Sequence, residues 1–254
     1  MNFTPVVLKP NSVSHLESQE VVKVQITPAF PQGRAAAHPQ LHRNAWSLSD
    51  GKRMFDLVAA TLGLIVFSPL MVVIAAAIAL TSPGPVLFRQ KRMGRRGSLF
   101  TIYKFRTMVN GAENGPSITV QGDTRITRVG AILRKFKLDE LPQLINVLKG
   151  DMSFVGPRPK LPHHESLHMP FRPGITGAAT LAFRCEEEIL QKIPQHELDY
   201  FYARTIKPLK AKLDWEYMQR ATWRSDFALL WSTLTACLSR QTVPVPVIEF
   251  PGAD

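Results

Sequence analysis

Residues Leu57 to Leu80 read LVAATLGLIVFSPLMVVIAAAIAL, 24 consecutive positions without a charge. At about 1.5 Å rise per residue this is about 36 Å of straight helix, enough to cross a hydrocarbon layer about 30 Å thick. Two features argue against simple crossing. Ser68-Pro69 stands at the middle, where proline removes a backbone donor and disfavours helix in the residue before it. Each arm is then about 18 Å, which reaches the bilayer midplane. Both flanks are also basic: Lys52 and Arg53 before, Arg89, Lys91, Arg92, Arg95 and Arg96 after. Positive charge marks the cytoplasmic side, so both ends ask for the same leaflet. The expectation is a re-entrant helix–break–helix, with the Ser68 hydroxyl serving backbone groups freed at the break. A kinked spanning helix is the plainer alternative.

Outward from this segment the charge is uneven. The chain has 254 residues, 31 Lys+Arg against 20 Asp+Glu, and a formal net charge of +11. From Arg89 to Lys137 the basic residues are opposed only by Glu113 and Asp123, so nearly all the excess falls in one fifth of the chain. Such a block calls for an anionic partner: phosphate, acidic lipid head groups or nucleic acid. A hydrophobic share of 45% excludes a wholly disordered chain, and 15 Gly with 20 Pro exclude a collagen-like one. Two cysteines, Cys185 and Cys237, exclude a disulfide framework and fit a reducing compartment. The first residues lack a basic-then-apolar pattern, so a cleaved secretory peptide is not expected.

Residues 1–48 are proline-rich without periodicity and read as a mobile tail, with at most a short strand at Val21–Ile26. Residues 49–88 hold the membrane helix and the turn Ser82-Pro83-Gly84-Pro85. A catalytic domain is expected over 89–240, followed by a C-terminal tail over 241–254. Within the domain, SLFTIYKFRTM (98–108) reads as a strand. Residues 125–137 carry apolar side chains at helical spacing with basic residues opposite, and a short helix is expected from Pro142 to Leu148. Residues 156–173 are irregular, and helices are expected around 186–191, 195–220 and 225–238.

Asp139 and Glu140 directly follow the basic helix. Pro142 is tolerated only in a first turn, so both acids lie at or just before a helix start. Capping is the bland explanation. The chemical one is that adjacent carboxylates can share a Mg²⁺ ion, which also takes waters and substrate phosphates. A carboxylate held ionised by Arg134, Lys135 and the helix start could act as a nucleophile and form an acyl phosphate. Gly156-Pro157-Arg158-Pro159 adds an arginine in a rigid proline frame, suited to bidentate phosphate contact.

Five stretches carry a resemblance: KRMFDLVAATLGLIVFSPL (52–70), SPGPVLFRQKRMG (82–94), YKFRTM (103–108), DTRITRVGAILRKFKLDELPQLINVLKGDMSFVGPRP (123–159) and RPGITG (172–177). In these the chain resembles the bacterial sugar transferases, monotopic phosphoglycosyl transferases, over roughly residues 50 to 240 and in their minimal catalytic form. The resemblance implies an α-rich α+β fold with a re-entrant membrane helix, interfacial amphipathic helices and a small cytosolic catalytic face. It implies a location on the cytoplasmic face of the bacterial inner membrane. The implied reaction moves a sugar 1-phosphate from a nucleotide diphospho-sugar, normally UDP-linked, to polyprenyl (undecaprenyl) phosphate. UMP is released and a phosphosugar-aspartate at Asp139 is the intermediate. This is a first membrane step of exopolysaccharide or glycoconjugate synthesis. Glu140 would share Mg²⁺ with Asp139, and Arg134 and Arg158 would bind phosphates. Lys104, Arg106 and Asp123 fall within the family's motifs as substrate-binding candidates. Implied partners are the UDP-sugar, polyprenyl phosphate, anionic lipids and downstream glycosyltransferases, with a homo-oligomer left open. After RPGITG the chain reads AATLAFRCEEEIL, a departure from the glutamine- and glycine-containing continuation common in the family.

Two other patterns compete with this reading. His164-Glu165-Ser166-Leu167-His168 satisfies H-E-x-x-H, the pattern of a zinc peptidase. Pro162 and Pro170 leave it at most about two helical turns, and no third ligand follows. The basic block with Phe100, Tyr103 and Phe105 could serve a nucleic-acid binder. The adjoining membrane segment makes lipid head groups and substrate phosphates the better partners, and nucleic acid is not expected. Trp215, Tyr217, Trp223 and Trp231 read as core or interfacial aromatics.

Overall fold

The computed structural model describes residues 45–112, 123–162, 169–184, 186–191, 193–194 and 196–238. The expected N-terminal tail up to residue 44, the Val21–Ile26 strand, the C-terminal tail and the His164–His168 pattern lie outside these residues. The fold is helix-rich α+β, with eight helices and two small sheets among the described residues.

Helix α1 runs Asp50–Thr81, with the Ser49 side chain capping it by accepting from the Lys52 N–H. Its 32 residues form one helical run through Pro69, so the expected interruption at Ser68-Pro69 is not a gap in the helix. The physical reason is a local replacement. Pro69 has no N–H for the Ile65 carbonyl, and the Ser68 hydroxyl donates to that same carbonyl at 3.0 Å. The expected role of Ser68 is met; the break is not.

The helix buries in an unusual order. Lys52 and Asp56 are buried, while Val58, Leu62, Ile65, Val66, Phe67, Val72, Val73 and Leu80 are exposed. Both arms nevertheless dock on the same body. Ala60 and Leu64 pack with Phe100, Ile102, Leu144, Val147 and Met152. Ile74 and Ile78 pack with Phe105 and Leu133. At the N-terminal end Arg53 donates to the Val147 and Leu148 carbonyls at 2.6 and 2.9 Å. At the other end Arg106 donates to the Ser82 carbonyl at 2.6 Å. The N-terminal end is further tied to the C-terminal helices. Lys52 Nζ lies 2.6 Å from Asp226, which also accepts from Trp46 Nε1 and the Tyr217 hydroxyl.

Strands β1 (Leu87–Met93) and β2 (Leu99–Phe105) form an antiparallel hairpin, Leu87 opposite Phe105 and Met93 opposite Leu99. β2 falls inside the expected strand. β1 was not expected: LFRQKRM puts four polar residues in a row and shows no alternation, so pairing with β2 makes it a strand. Helix α2 (Arg128–Lys135) is capped by Thr127, and Lys137 in a left-handed conformation reverses the chain into a short 3₁₀ turn, Leu138–Glu140. Helix α3 (Gln143–Lys149) follows at once. Asn146 on α3 is fully buried and clamps β2, accepting from the Tyr103 N–H and donating to the Thr101 carbonyl.

Strands β3 (Ser153–Val155) and β4 (Gly174–Thr176) pair in parallel. They cross so closely that a β-carbon on Gly156 would overlap the Arg172 carbonyl, and one on Gly177 the Gly156 carbonyl. Helices α4 (Ala178–Ala182), α5 (Glu186–Gln191), α6 (Leu198–Phe201), α7 (Lys207–Arg220) and α8 (Trp223–Leu238) complete the chain, with a π-helical turn at Tyr202–Ile206. The long helix expected at 195–220 is thus one course with a widened turn inside it. Met169, Phe171 and Met218 form a third core cluster, with Trp215 against Phe171. On α8, Trp223, Phe227, Trp231 and Leu234 are exposed at helical spacing, an apolar stripe facing outward.

Candidate active site

Asp139 and Glu140 lie in the 3₁₀ turn between the left-handed Lys137 and the start of α3, and both are buried. The sequence expectation of acids just before a helix start is met. Neither is offered a capping role by α3, whose N-cap residue Pro142 makes no side-chain cap bond. Glu140 Oε1 is instead held by Lys104 Nζ at 2.6 Å and by Arg158 at 3.3 Å. Lys104 comes from β2, whose position is set by the Asn146 clamp. Arg158 follows Gly156 out of the β3–β4 crossing. Asp214 on α7 supports that corner, accepting from the Ala179 N–H at 3.0 Å and from the Arg158 backbone.

The two carboxyls are driven apart. Burial opposes the charge on Glu140, but Lys104, Arg158 and Lys137 more than offset it and hold this carboxyl well below the usual range. Burial raises the Asp139 carboxyl, the neighbouring Glu140 charge adds to the rise, and Lys104 partly opposes both. Asp139 Oδ1 is buried and has no hydrogen-bond partner among the described residues. An orphaned carboxylate oxygen beside a firmly ionised one is costly unless a ligand completes it.

A magnesium ion at this place would be held by Asp139 Oδ1 and Glu140. Mg²⁺ typically takes one or two carboxylates and leaves its other positions to water and substrate phosphate. Asp139 Oδ1 and the carboxylate of Glu140 supply a donor set of that size. Among the described residues no group of three or more His, Cys, Asp and Glu side chains gathers, so an all-protein cage is not offered there.

Near the carboxylates lies a small hollow lined by Arg92, Ile102, Lys104, Gln143, Arg158, Pro159 and Gly174. Its polar wall carries cations and an amide and no carboxylate. Of the expected binding residues, Lys104 and Arg158 meet here. Arg134 donates to the Thr107 hydroxyl at 3.0 Å and acts electrostatically on Asp139. Arg106 and Asp123 lie outside this lining: Arg106 donates through one Nη to the Ser82 carbonyl while its Nε and other Nη are buried without a partner among the described residues, and Asp123 forms a bidentate pair with Arg125. Arg92 and Gln143 were not singled out from the sequence as site residues. Arg92 was one cation of a basic block, and Gln143 was a polar residue at a helix start.

Comparison with known proteins follows the same stretch. The profile of a family described as bacterial sugar transferase matches residues 48–240. The UDP-glucose:undecaprenyl-phosphate glucose-1-phosphate transferase of Caulobacter vibrioides is 51% identical over 140 residues, 50% of this chain and 52% of that protein. The UDP-N-acetylgalactosamine-undecaprenyl-phosphate N-acetylgalactosaminephosphotransferase of Aeromonas hydrophila is 41% identical over 167 residues, 61% of this chain and 39% of that protein. An exopolysaccharide production protein of Rhizobium meliloti is 33% identical over 216 residues, 74% of this chain and 86% of that protein. The chain thus spans about a third to a half of the length of the first of these curated relatives. With the family profile covering most of the described residues and the acid pair, Lys104 and Arg158 all inside it, the chain belongs to the bacterial sugar transferase family.

Proposed function

We propose that this protein transfers a sugar 1-phosphate from a UDP-linked sugar to polyprenyl phosphate, at the cytoplasmic face of the bacterial inner membrane. The observation that carries the reading is the orphaned Asp139 oxygen beside a Glu140 clamped by Lys104 and Arg158. Asp139 attacks the β-phosphorus of the nucleotide sugar, forming a P–O bond as the bond bridging to the α-phosphate breaks. UMP leaves with that electron pair. A phosphate oxygen of the lipid then attacks the same phosphorus, the aspartyl P–O bond breaks, and the carboxylate is regenerated. The upward push on Asp139 makes its carboxylate more basic and a better nucleophile, and the buried cations keep the charged form accessible. Lys104 and Arg158 balance the phosphate charge. Magnesium, held when bound by Asp139 and Glu140, supplies further neutralisation of that charge.

We further propose that α1, although one unbroken helical run, bends so as to enter and leave the membrane by one leaflet, and three observations support this. Its apolar side chains face outward. The single strand β2 touches both arms, Phe100 on Ala60 and Phe105 on Ile74 and Ile78. Arg53 and Ser82, near its two ends, are bonded to that one body. A crossing helix would carry one end away by about 30 Å of hydrocarbon. The exposed aromatic stripe of α8 suits the interface, and the basic block suits anionic lipid.

The test is direct. Protein in lipid nanodiscs with UDP-sugars, Mg²⁺ and undecaprenyl phosphate should release UMP. Asp139→Asn should abolish release even without lipid. No UMP with any UDP-sugar, or near-normal turnover by Asp139→Asn, overturns the reading. For topology, cysteines at positions 50 and 90 in a Cys185/Cys237-free background should label with an impermeant reagent only after lysis; labelling of either in sealed cells excludes the re-entrant course.

A further inference from the structure

Gln143 carries a feature the reaction scheme above does not use. It is the first residue of α3, three positions after Glu140, so the two side chains share one side of the helix start. It is only 2% exposed, yet its Nε2 donor has no acceptor among the described residues. A buried amide without a partner is rare and costly in folded proteins. A capping role would explain a polar residue at this place, but α3 shows no side-chain cap bond. The side chain lines the same cavity as Lys104 and Arg158, which clamp Glu140. Arg92, in the same lining, also has a buried and unpartnered Nε, its two Nη atoms donating to the Pro159 carbonyl and to Gln90. A cavity walled by three cations and an orphaned amide, with no acidic side chain in its lining, is built for an oxyanion that accepts from all of them.

We propose that Gln143 is a substrate-contacting residue whose side-chain amide donates to a non-bridging oxygen of the phosphoryl group being transferred, held between Lys104 and Arg158. The assignment rests on the sugar-phosphate transfer proposed above. The amide serves this place differently from a third lysine: it adds a fixed directional donor without adding charge, so it does not compete with Lys104 for Glu140. It also holds the phosphorus in register with Asp139, its close neighbour in sequence, while either the aspartate or the lipid oxygen attacks.

The experiment uses Gln143→Leu, which keeps the volume and removes the donor, and Gln143→Glu, which replaces the donor with an acceptor. In nanodiscs without lipid acceptor, the UMP burst from a UDP-sugar should slow about 30-fold in Gln143→Leu, equivalent to about 2 kcal/mol at 1.36 kcal/mol per tenfold. Gln143→Glu should slow it further. The Tm of Gln143→Leu should stay level or rise, because an unpaired buried donor is replaced by an apolar isostere. Activity and stability moving in opposite directions distinguishes a substrate contact from a packing role. The KM for undecaprenyl phosphate should be unchanged. A Gln143→Leu burst within threefold of wild type overturns the inference and leaves the proposed function standing. A normal burst with a raised lipid KM also overturns it, since the amide would then contact the lipid phosphate. If wild type gives no UMP, the proposed function fails. Inorganic pyrophosphate then decides the site: raised Tm in wild type and not in Gln143→Leu upholds the amide as an oxyanion donor, and equal response in both removes it.

Discussion

Replacing Lys52 with methionine tests the attachment of α1 to the rest of the molecule. Lys52 Nζ sits 2.6 Å from Asp226 Oδ2, and the two side chains are 4% and 1% exposed. Asp56 lies 4.0 Å away on the same helix. Methionine keeps the aliphatic stem and removes the charge, leaving Asp226 with only the neutral donors Trp46 and Tyr217. Stranding a buried carboxylate in this way costs about 3–5 kcal/mol. That is a large share of the roughly 5–15 kcal/mol that holds an ordinary domain folded. For a chain of this size about 2–4 °C is lost per kcal/mol, so the melting temperature should fall by about 10 °C. The assay is a thermal melt in nanodiscs followed by tryptophan fluorescence, with Trp46 a reporter inside the network. Asp226→Asn, which keeps an acceptor for both neutral donors, should also destabilise. The double variant Lys52→Met/Asp226→Asn should lose less than the sum of the two, by up to about 3 kcal/mol, because Asp226 is then no longer left charged, although Asp56 still loses its cation. A drop below about 1 kcal/mol for Lys52→Met, or strictly additive losses, would refute the claim that this buried pair ties the helix to α8.

Gly130→Ala should prevent correct docking of α2, since a β-carbon there overlaps the Thr107 carbonyl; the expected readout is a loss of folded protein in a detergent gel-filtration profile. Asp214 should make stability fall as pH rises. Burial lifts its carboxyl from 3.8 to about 6, so the folded state holds a proton that the unfolded state has released; the contribution is complete below about pH 4 and is lost as pH passes 6. The size is about 3 kcal/mol, and Asp214→Asn should flatten a denaturation series over pH 4–7. Ser68→Ala should leave the Ile65 carbonyl bare and cost about 1–2 kcal/mol, while Ser68→Ala with Pro69→Ala should recover most of it by restoring the backbone donor; equal melting temperatures for the two variants would remove the hydroxyl's role.

Local signals made much of this legible in the sequence. The uncharged run marks α1, Pro142 after two acids marks a helix start, and the Ser-Pro pair announces both a missing donor and its substitute. The proline and the basic flanks together predict a break, but the Ser68 bond and the packing of both arms keep the helical run continuous. What stayed hidden depends on distant partners. β1 has a polar sequence and exists because β2 lies beside it. Lys52 and Asp226 are 174 positions apart, and no spacing rule joins them. Asn146 reads as an ordinary polar helix residue until β2 is laid against its amide. In the site, Lys104 and Arg158 were expected among phosphate ligands and do converge. Arg106 and Asp123 come from equally charged motifs, and the fold sets them apart from that hollow, each with a bond to a chain segment nearby. Residue type gives the charge, and only the fold says which charges are free to meet a substrate.

The β3–β4 crossing carries a consequence for redesign. Because Gly156 and Gly177 meet main chain directly, no side chain at that joint can be exchanged to loosen or shift it. Arg158, two residues beyond, takes its place from this main-chain joint together with Asp214, which accepts from its backbone. The chain immediately after the joint runs on through α4 into α5. Segments such as 178–191 could accordingly be exchanged between relatives as cassettes. Such an exchange would keep the main-chain path to Arg158 but replace Glu186, whose charge acts on that guanidinium, so the recipient would acquire both a different rim and a retuned cation.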